Sequence, residues 1–158
     1  MELPATIATI VDPLLEKFPP EQSMNELVVR KKTSAQKVDA VERLIDGAGG
    51  GLAAPLRSAL WLYVDELDRS HSISQGVKDS TGSFWHGIMH RREGDFSNSH
   101  YWFNKVGIHP AMAQIEGYDA HEFIDLVERE AGRQDPGLLR LQRLEWQTLF
   151  AWCAAEYS

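Results

Sequence analysis

The chain has a single cysteine, Cys153, in 158 residues. No internal disulfide can brace it, and a reducing compartment is expected. Cations are also scarce: 16 Lys and Arg stand against 23 Asp and Glu, a formal net charge of −7. A broad nucleic-acid surface needs the opposite balance, so at most a small local basic pocket is expected. No apolar run approaches the roughly 18 residues of a membrane span. The first residues, Met1-Glu-Leu-Pro-Ala-Thr-Ile7, carry no basic n-region, and Asp12-Pro13 breaks the apolar stretch, so no signal peptide is expected. These absences predict a cytoplasmic protein with neither membrane nor nucleic-acid partner.

Familiar catalytic signatures are missing too. The run Asp46-Gly-Ala-Gly-Gly-Gly51 lacks the Gly-Lys-Ser/Thr of a phosphate loop and reads as a connector. No Gly-x-Ser-x-Gly elbow occurs. Cys153 falls on the apolar side of a helical pattern, where a thiol is inert. The β signal is confined to Leu27-Val28-Val29, ahead of Arg30-Lys31-Lys32.

What remains is helical periodicity. Residues 5–18 carry Ile7, Ile10, Val11, Leu14, Leu15 and Phe18 at helical spacing, with Pro13 expected to kink the helix. Thr33 and Gln36 form a capping box. One long helix is expected from Leu52 to Ser72, with His71 on the stripe of Leu56, Leu60, Val64 and Leu67. A polar connection spans residues 72–83, long for a link between helices. Helices are expected at 83–93 and at 96–106 behind Asp95, and a short helical turn at 110–116. Another runs from Asp119 to Gly132, and the last from Asp135-Pro136 to about Tyr157. The fold class is therefore all-α: residues 1–158 as a single-domain bundle of six or seven helices.

Polar chemistry is concentrated in residues 81–110. Four of the six histidines, two of the five tryptophans and the Arg91-Arg92 pair fall there. On a helix over residues 83–93, His86, His90 and Glu93 lie within about a 60° arc. Two imidazoles and a carboxylate suit zinc or iron, with a further ligand from His71, His100 or Asp68. The zinc signature His-Glu-x-x-His is not met, because Gly87 follows His86. Arg91 and Arg92 fall on the Phe84/Ile88 and Trp85 sides. This helix therefore has no clean polar face and is expected to be central, its charges paired inside with Asp65, Asp68 or Asp95. The next helix mixes Phe96, His100, Tyr101, Trp102 and Phe103 with Asn98 and Lys105. Apolar walls with a few placed polar groups are the composition of a ligand pocket.

The run Ser-Phe-Trp-His-Gly-Ile-Met-His-Arg-Arg-Glu-Gly-Asp-Phe-Ser-Asn-Ser-His-Tyr-Trp-Phe, with Val106-Gly and His109-Pro110, resembles the signature of a family of small all-helical proteins in bacteria and fungi. Leu60-Trp-Leu-Tyr and Leu67-Asp-Arg-Ser-His-Ser-Ile-Ser-Gln75 are similar to that family as well. The resemblance spans about residues 55–110. It implies an all-α fold and the place of the site, and it carries no activity.

Three functions follow as expectations. The first is a pocket for a small polar or anionic ligand, formed by His71, Trp85, Arg91, Arg92, Glu93, Asn98 and Tyr101, with His86 and His90 as acid and base. The second is a metal-dependent enzyme using His86, His90 and Glu93. The third is a non-enzymatic interaction or oligomerisation domain, a homodimer for example, with an exposed Trp/Phe patch and a buried polar network. The sequence names no cofactor and no metal.

Overall fold

A computed structural model describes residues 1–130 and 132–157. Among these are eight α-helices and two short 3-10 turns, with no strand. The Leu27-Val28-Val29 segment is therefore not a strand. The fold is all-α, with more helices than the sequence pattern suggests, because one expected helix is two.

Helix α1 (Ala5–Lys17) contains Pro13 without a break and buries Ile7, Val11 and Leu14. A 3-10 turn at Pro20–Gln22 leads into an irregular segment that reaches α2 (Ala35–Ala48). The cap of α2 is Ser34, whose side chain accepts the Lys37 amide, so the start lies one residue past the expected Thr33 box. The Thr33 hydroxyl instead donates to the Val64 carbonyl at 2.8 Å.

The expected helix over residues 52–72 is broken into α3 (Ala54–Tyr63) and α4 (Leu67–Ser74). Asp65 sits between them at φ 65°, a left-handed conformation that Asp tolerates better than most residues. Its carboxylate accepts from Arg92 at 2.6 Å, which holds it there. The break folds α4 back along α3: the Ser58 hydroxyl lies 2.9 Å from that of Ser70, twelve residues on. His71 is thereby brought beside α5.

Helix α5 (Ser80–Glu93) begins three residues earlier than the periodicity suggests, because Asp79 is its cap. As expected of a helix with no clean polar face, it is central: Phe84 through Arg92 are all buried. Its neighbour α6 (Phe96–Val106) is capped by Asp95. The two approach closely at Gly87. A methyl group there would lie 2.8 Å from the Phe103 ring, and the Gly87 carbonyl accepts the Ser99 hydroxyl at 2.7 Å. Gly87→Ala is expected to cost about 1–3 kcal/mol by overpacking, measured as a shift in the urea midpoint.

The chain continues through a 3-10 turn (Pro110–Gln114) capped by His109 into α7 (Ala120–Arg129). This helix ends short of Gly132; Ala131 lies outside the described residues. The last helix, α8 (Pro136–Glu156), crosses the core, where the Trp146 indole donates to the Ala59 carbonyl at 2.8 Å. Cys153 is buried on α8, and burial pushes its thiol up to about 12, consistent with an inert side chain. No described helix is long and apolar enough to cross a membrane.

Candidate metal centre

Three imidazoles meet where α4 crosses α5. His86 and His90, one turn apart on α5, are 4.7 Å apart between ring centroids. His71 from α4 closes the triangle at 4.7 Å from His86 and 5.6 Å from His90. One ring nitrogen from each can be chosen so that all three lie within 4.8 Å of one another. Ligands 2.0–2.1 Å from a tetrahedral ion are separated by about 3.4 Å. Side-chain rotations that close this gap would be needed to bring the trio onto one ion.

The surroundings prepare the trio for such a role. His90 Nδ1 donates to Glu93 Oε1 at 2.6 Å, which fixes the tautomer and leaves Nε2 available. The His86 ring stacks on Trp102 at 3.9 Å, nearly parallel. His86 is only 3% exposed, and among the described residues its Nδ1 has no hydrogen-bond partner. Burial, aided by the charges of His90, His71 and Lys105, pushes its imidazole down from 6.5 to about 4. It is therefore neutral at pH 7, the form that binds a metal.

That shift has a consequence for the metal-free protein. Unfolded, His86 takes up a proton near pH 6.5; folded, it resists until about pH 4. Between these values the unfolded state binds more protons, so stability falls as pH drops from 6.5 to 4. Above 6.5 the contribution is constant. His109 is also held low by burial and adds to the same slope. Urea midpoints at pH 7 and pH 4.5 are expected to differ strongly in the wild type and less in His86→Asn. An equal slope in both would contradict this origin.

The trio opens onto a groove of about 500 Å³. Asn98 and Tyr101 line it, as the sequence suggests, and so do Gln75, Lys78 and Trp102. Lys78 and Gln75 belong to the polar connection whose length marked it as unusual; no feature of the sequence picked them individually. Trp102 was counted among the aromatic residues of the next helix and not with the histidines. It enters through the crossing of α5 and α6.

Trp85, Arg91 and Arg92 do not reach the groove. Trp85 is fully buried in the core near Trp146. Arg91 makes a two-pronged pair with Glu145 of α8, at 2.7 and 3.0 Å, both side chains wholly buried. Tyr118 donates to the same carboxylate at 2.5 Å, and the guanidinium lies over Phe123. Arg92 pairs with Asp65 and donates to the carbonyls of Leu62 and Glu26. The two arginines thus bind the interior, because their side of α5 faces α3, α7 and α8. Glu93 stands behind His90, not beside the ion position. Among the other expected ligands, His100 is engaged elsewhere: its Nδ1 is 2.7 Å from His121 Nδ1, and its Nε2 donates to Asp125 at 2.9 Å. Asp68 is exposed and outside the cluster.

The arrangement is three imidazole nitrogens, an outer carboxylate bonded to one of the rings, and a polar groove beside them. Zinc and related divalent transition ions take such ligands, and three protein ligands leave room for water or substrate. No protein family, curated protein or solved structure matches the chain in comparisons of its sequence and fold.

Proposed function

We propose that the protein uses a divalent transition-metal ion, held by His71, His86 and His90, to bind and transform a small polar or anionic molecule in the adjoining groove. The observation that carries this reading is the convergence of three imidazole nitrogens, one of them on the buried and otherwise unsatisfied His86. Without an ion, three rings this close repel each other's protonated forms and leave a buried polar atom unpaired, both unfavourable. A bound ion would hold the rings in their unprotonated form.

The groove beside the three histidines is lined by Gln75, Lys78, Asn98 and Tyr101. An ion held by His71, His86 and His90 would supply Lewis-acid chemistry there, polarising a bound oxygen or acidifying a bound water. Lys78 and the Asn98 amide are placed to attract and orient an anionic oxygen. Glu93, bonded to the far nitrogen of His90, acts as a positioning residue. This reading departs from the His86, His90 and Glu93 set in that His71 replaces the carboxylate as the third ligand.

His86 and His90 acting as a metal-free acid and base fits less well, because His86 is held neutral through the whole physiological range. The interaction-domain reading needs an exposed Trp/Phe patch. The exposed large hydrophobic residues among those described are Met1, Tyr101, Ile108 and Leu144, which include neither Trp nor Phe.

Cobalt(II) titration of metal-free protein tests the proposal. A saturating visible absorption of nitrogen-rich, low-symmetry cobalt at one equivalent, bleached by zinc, is expected. A spectrum no different from aqueous cobalt would refute it.

A further inference from the structure

A metal-bound imidazole is usually oriented by a hydrogen bond from its other ring nitrogen. His90 has this support, since its Nδ1 donates to Glu93 at 2.6 Å. His86 lacks it: among the described residues its buried Nδ1 has no partner. What His86 has instead is a covered face. On the footing of the metal centre above, we propose that Trp102 is a second positioning residue, its indole holding the His86 ring in place of the missing hydrogen bond.

The contact is tight enough for that role. The two ring centroids are 3.9 Å apart and the planes 24° from parallel, whereas the next closest ring pair among the described residues, His109 and Trp152, stands at 4.3 Å. Carbon atoms in contact sit about 3.5–4.0 Å apart. A ring covered at this distance cannot turn on its Cβ–Cγ bond without driving its edge into the indole.

The packing of the two helices places the indole there. Gly87 follows His86, and Phe103 follows Trp102. A methyl group at Gly87 would lie 2.8 Å from the Phe103 ring, so only glycine lets the helices come this close, and the Ser99 hydroxyl donates to the Gly87 carbonyl at 2.7 Å. The register of α6 on α5 is thus fixed one residue away from each member of the stack. The indole is restrained in turn: the Lys105 ammonium lies over it at 4.7 Å, and Tyr101 meets it edge-on at 5.5 Å.

Filling the core does not account for Trp102. The residue is only half-buried, lines the histidine groove, and lies outside the hydrophobic core among the described residues. Its closest ring contact is with His86.

Competition for cobalt(II) against a chelating indicator tests the role in wild type, Trp102→Leu and Trp102→Phe, with a urea midpoint for each. Fixing one freed side chain costs about twofold to tenfold in affinity, and loss of an outer partner costs about tenfold or more. Trp102→Leu is therefore expected to weaken cobalt by about tenfold. Trp102→Phe keeps an aromatic face over His86 and should stay within about threefold of wild type. A space-filling Trp102 gives another pattern, in which the urea midpoint falls in both variants and the affinity does not move. Equal affinity in wild type and Trp102→Leu would overturn the assignment and leave the metal centre standing. Wild type that takes up no cobalt would overturn the metal centre, and this role with it. If Trp102→Leu does not fold, proton NMR of the wild-type imidazoles decides. The indole ring current should hold the His86 ring protons upfield of those of the other histidines, before and after zinc is added. Signals at the position of an exposed histidine, or signals that move there with zinc, would overturn the role equally.

Discussion

Arg91→Met is expected to lower the free energy of unfolding by about 3–5 kcal/mol, because it strands a charged Glu145 in the interior. The carboxylate is 0% exposed and would keep only the Tyr118 hydroxyl as a partner. Burial and the Glu145 charge hold the Tyr118 phenol well above its ordinary range, so it stays a donor and cannot supply a positive charge. The Arg91 ring contact with Phe123 is lost as well. Arg91→Met/Glu145→Leu should recover most of the loss, since replacing both members of a buried pair with apolar groups of similar volume removes the orphaned charge. Urea denaturation of the wild type and the two variants measures this. A loss below about 1 kcal/mol in Arg91→Met would mean that the pair is not desolvated as the structure has it. The same variant separates structure from function. Its guanidinium points away from the groove, so the folded fraction should bind metal with wild-type affinity.

The second large effect is on metal affinity. His71→Ala should lower it by more than about a hundredfold, because a ligand counts for more than the outer partner of a ligand. His71 is only half-buried, so the fold should survive with a stability change under about 1 kcal/mol. Glu93→Gln should weaken the ion by about tenfold to a hundredfold, as removal of an outer carboxylate generally does. Competition against a chelating indicator measures both. Equal affinities in wild type and His71→Ala would remove His71 from the centre and return the ligand set to α5 alone.

The sequence made some of this plain and hid the rest for identifiable reasons. The caps at Asp95, Asp119 and Asp135 are local signals, each a side chain meeting an amide three residues on. The central position of α5 was legible from the wrapping of apolar and charged residues around it. The Asp65 partner of Arg92 was among the three candidates, with Asp68 and Asp95. The Glu145 partner of Arg91 was not, since 54 residues separate them and α8 reads as an ordinary amphipathic helix. The break at Asp65 was missed because no Gly or Pro marks it; an Asp in a left-handed turn looks helical in a periodicity count. That break also decides the site. The spacing of His86 and His90 is visible on one helix, whereas His71 joins them only after α4 has folded back along α3.

Elemental analysis of untagged protein, purified without chelator, tests the metal centre most directly. The account predicts close to one equivalent of a single divalent transition metal per chain, lost in His71→Ala/His86→Ala/His90→Ala protein that keeps its helical circular dichroism. Protein that carries only traces of metal, and that fails to retain zinc or cobalt after reconstitution and dialysis, would contradict it.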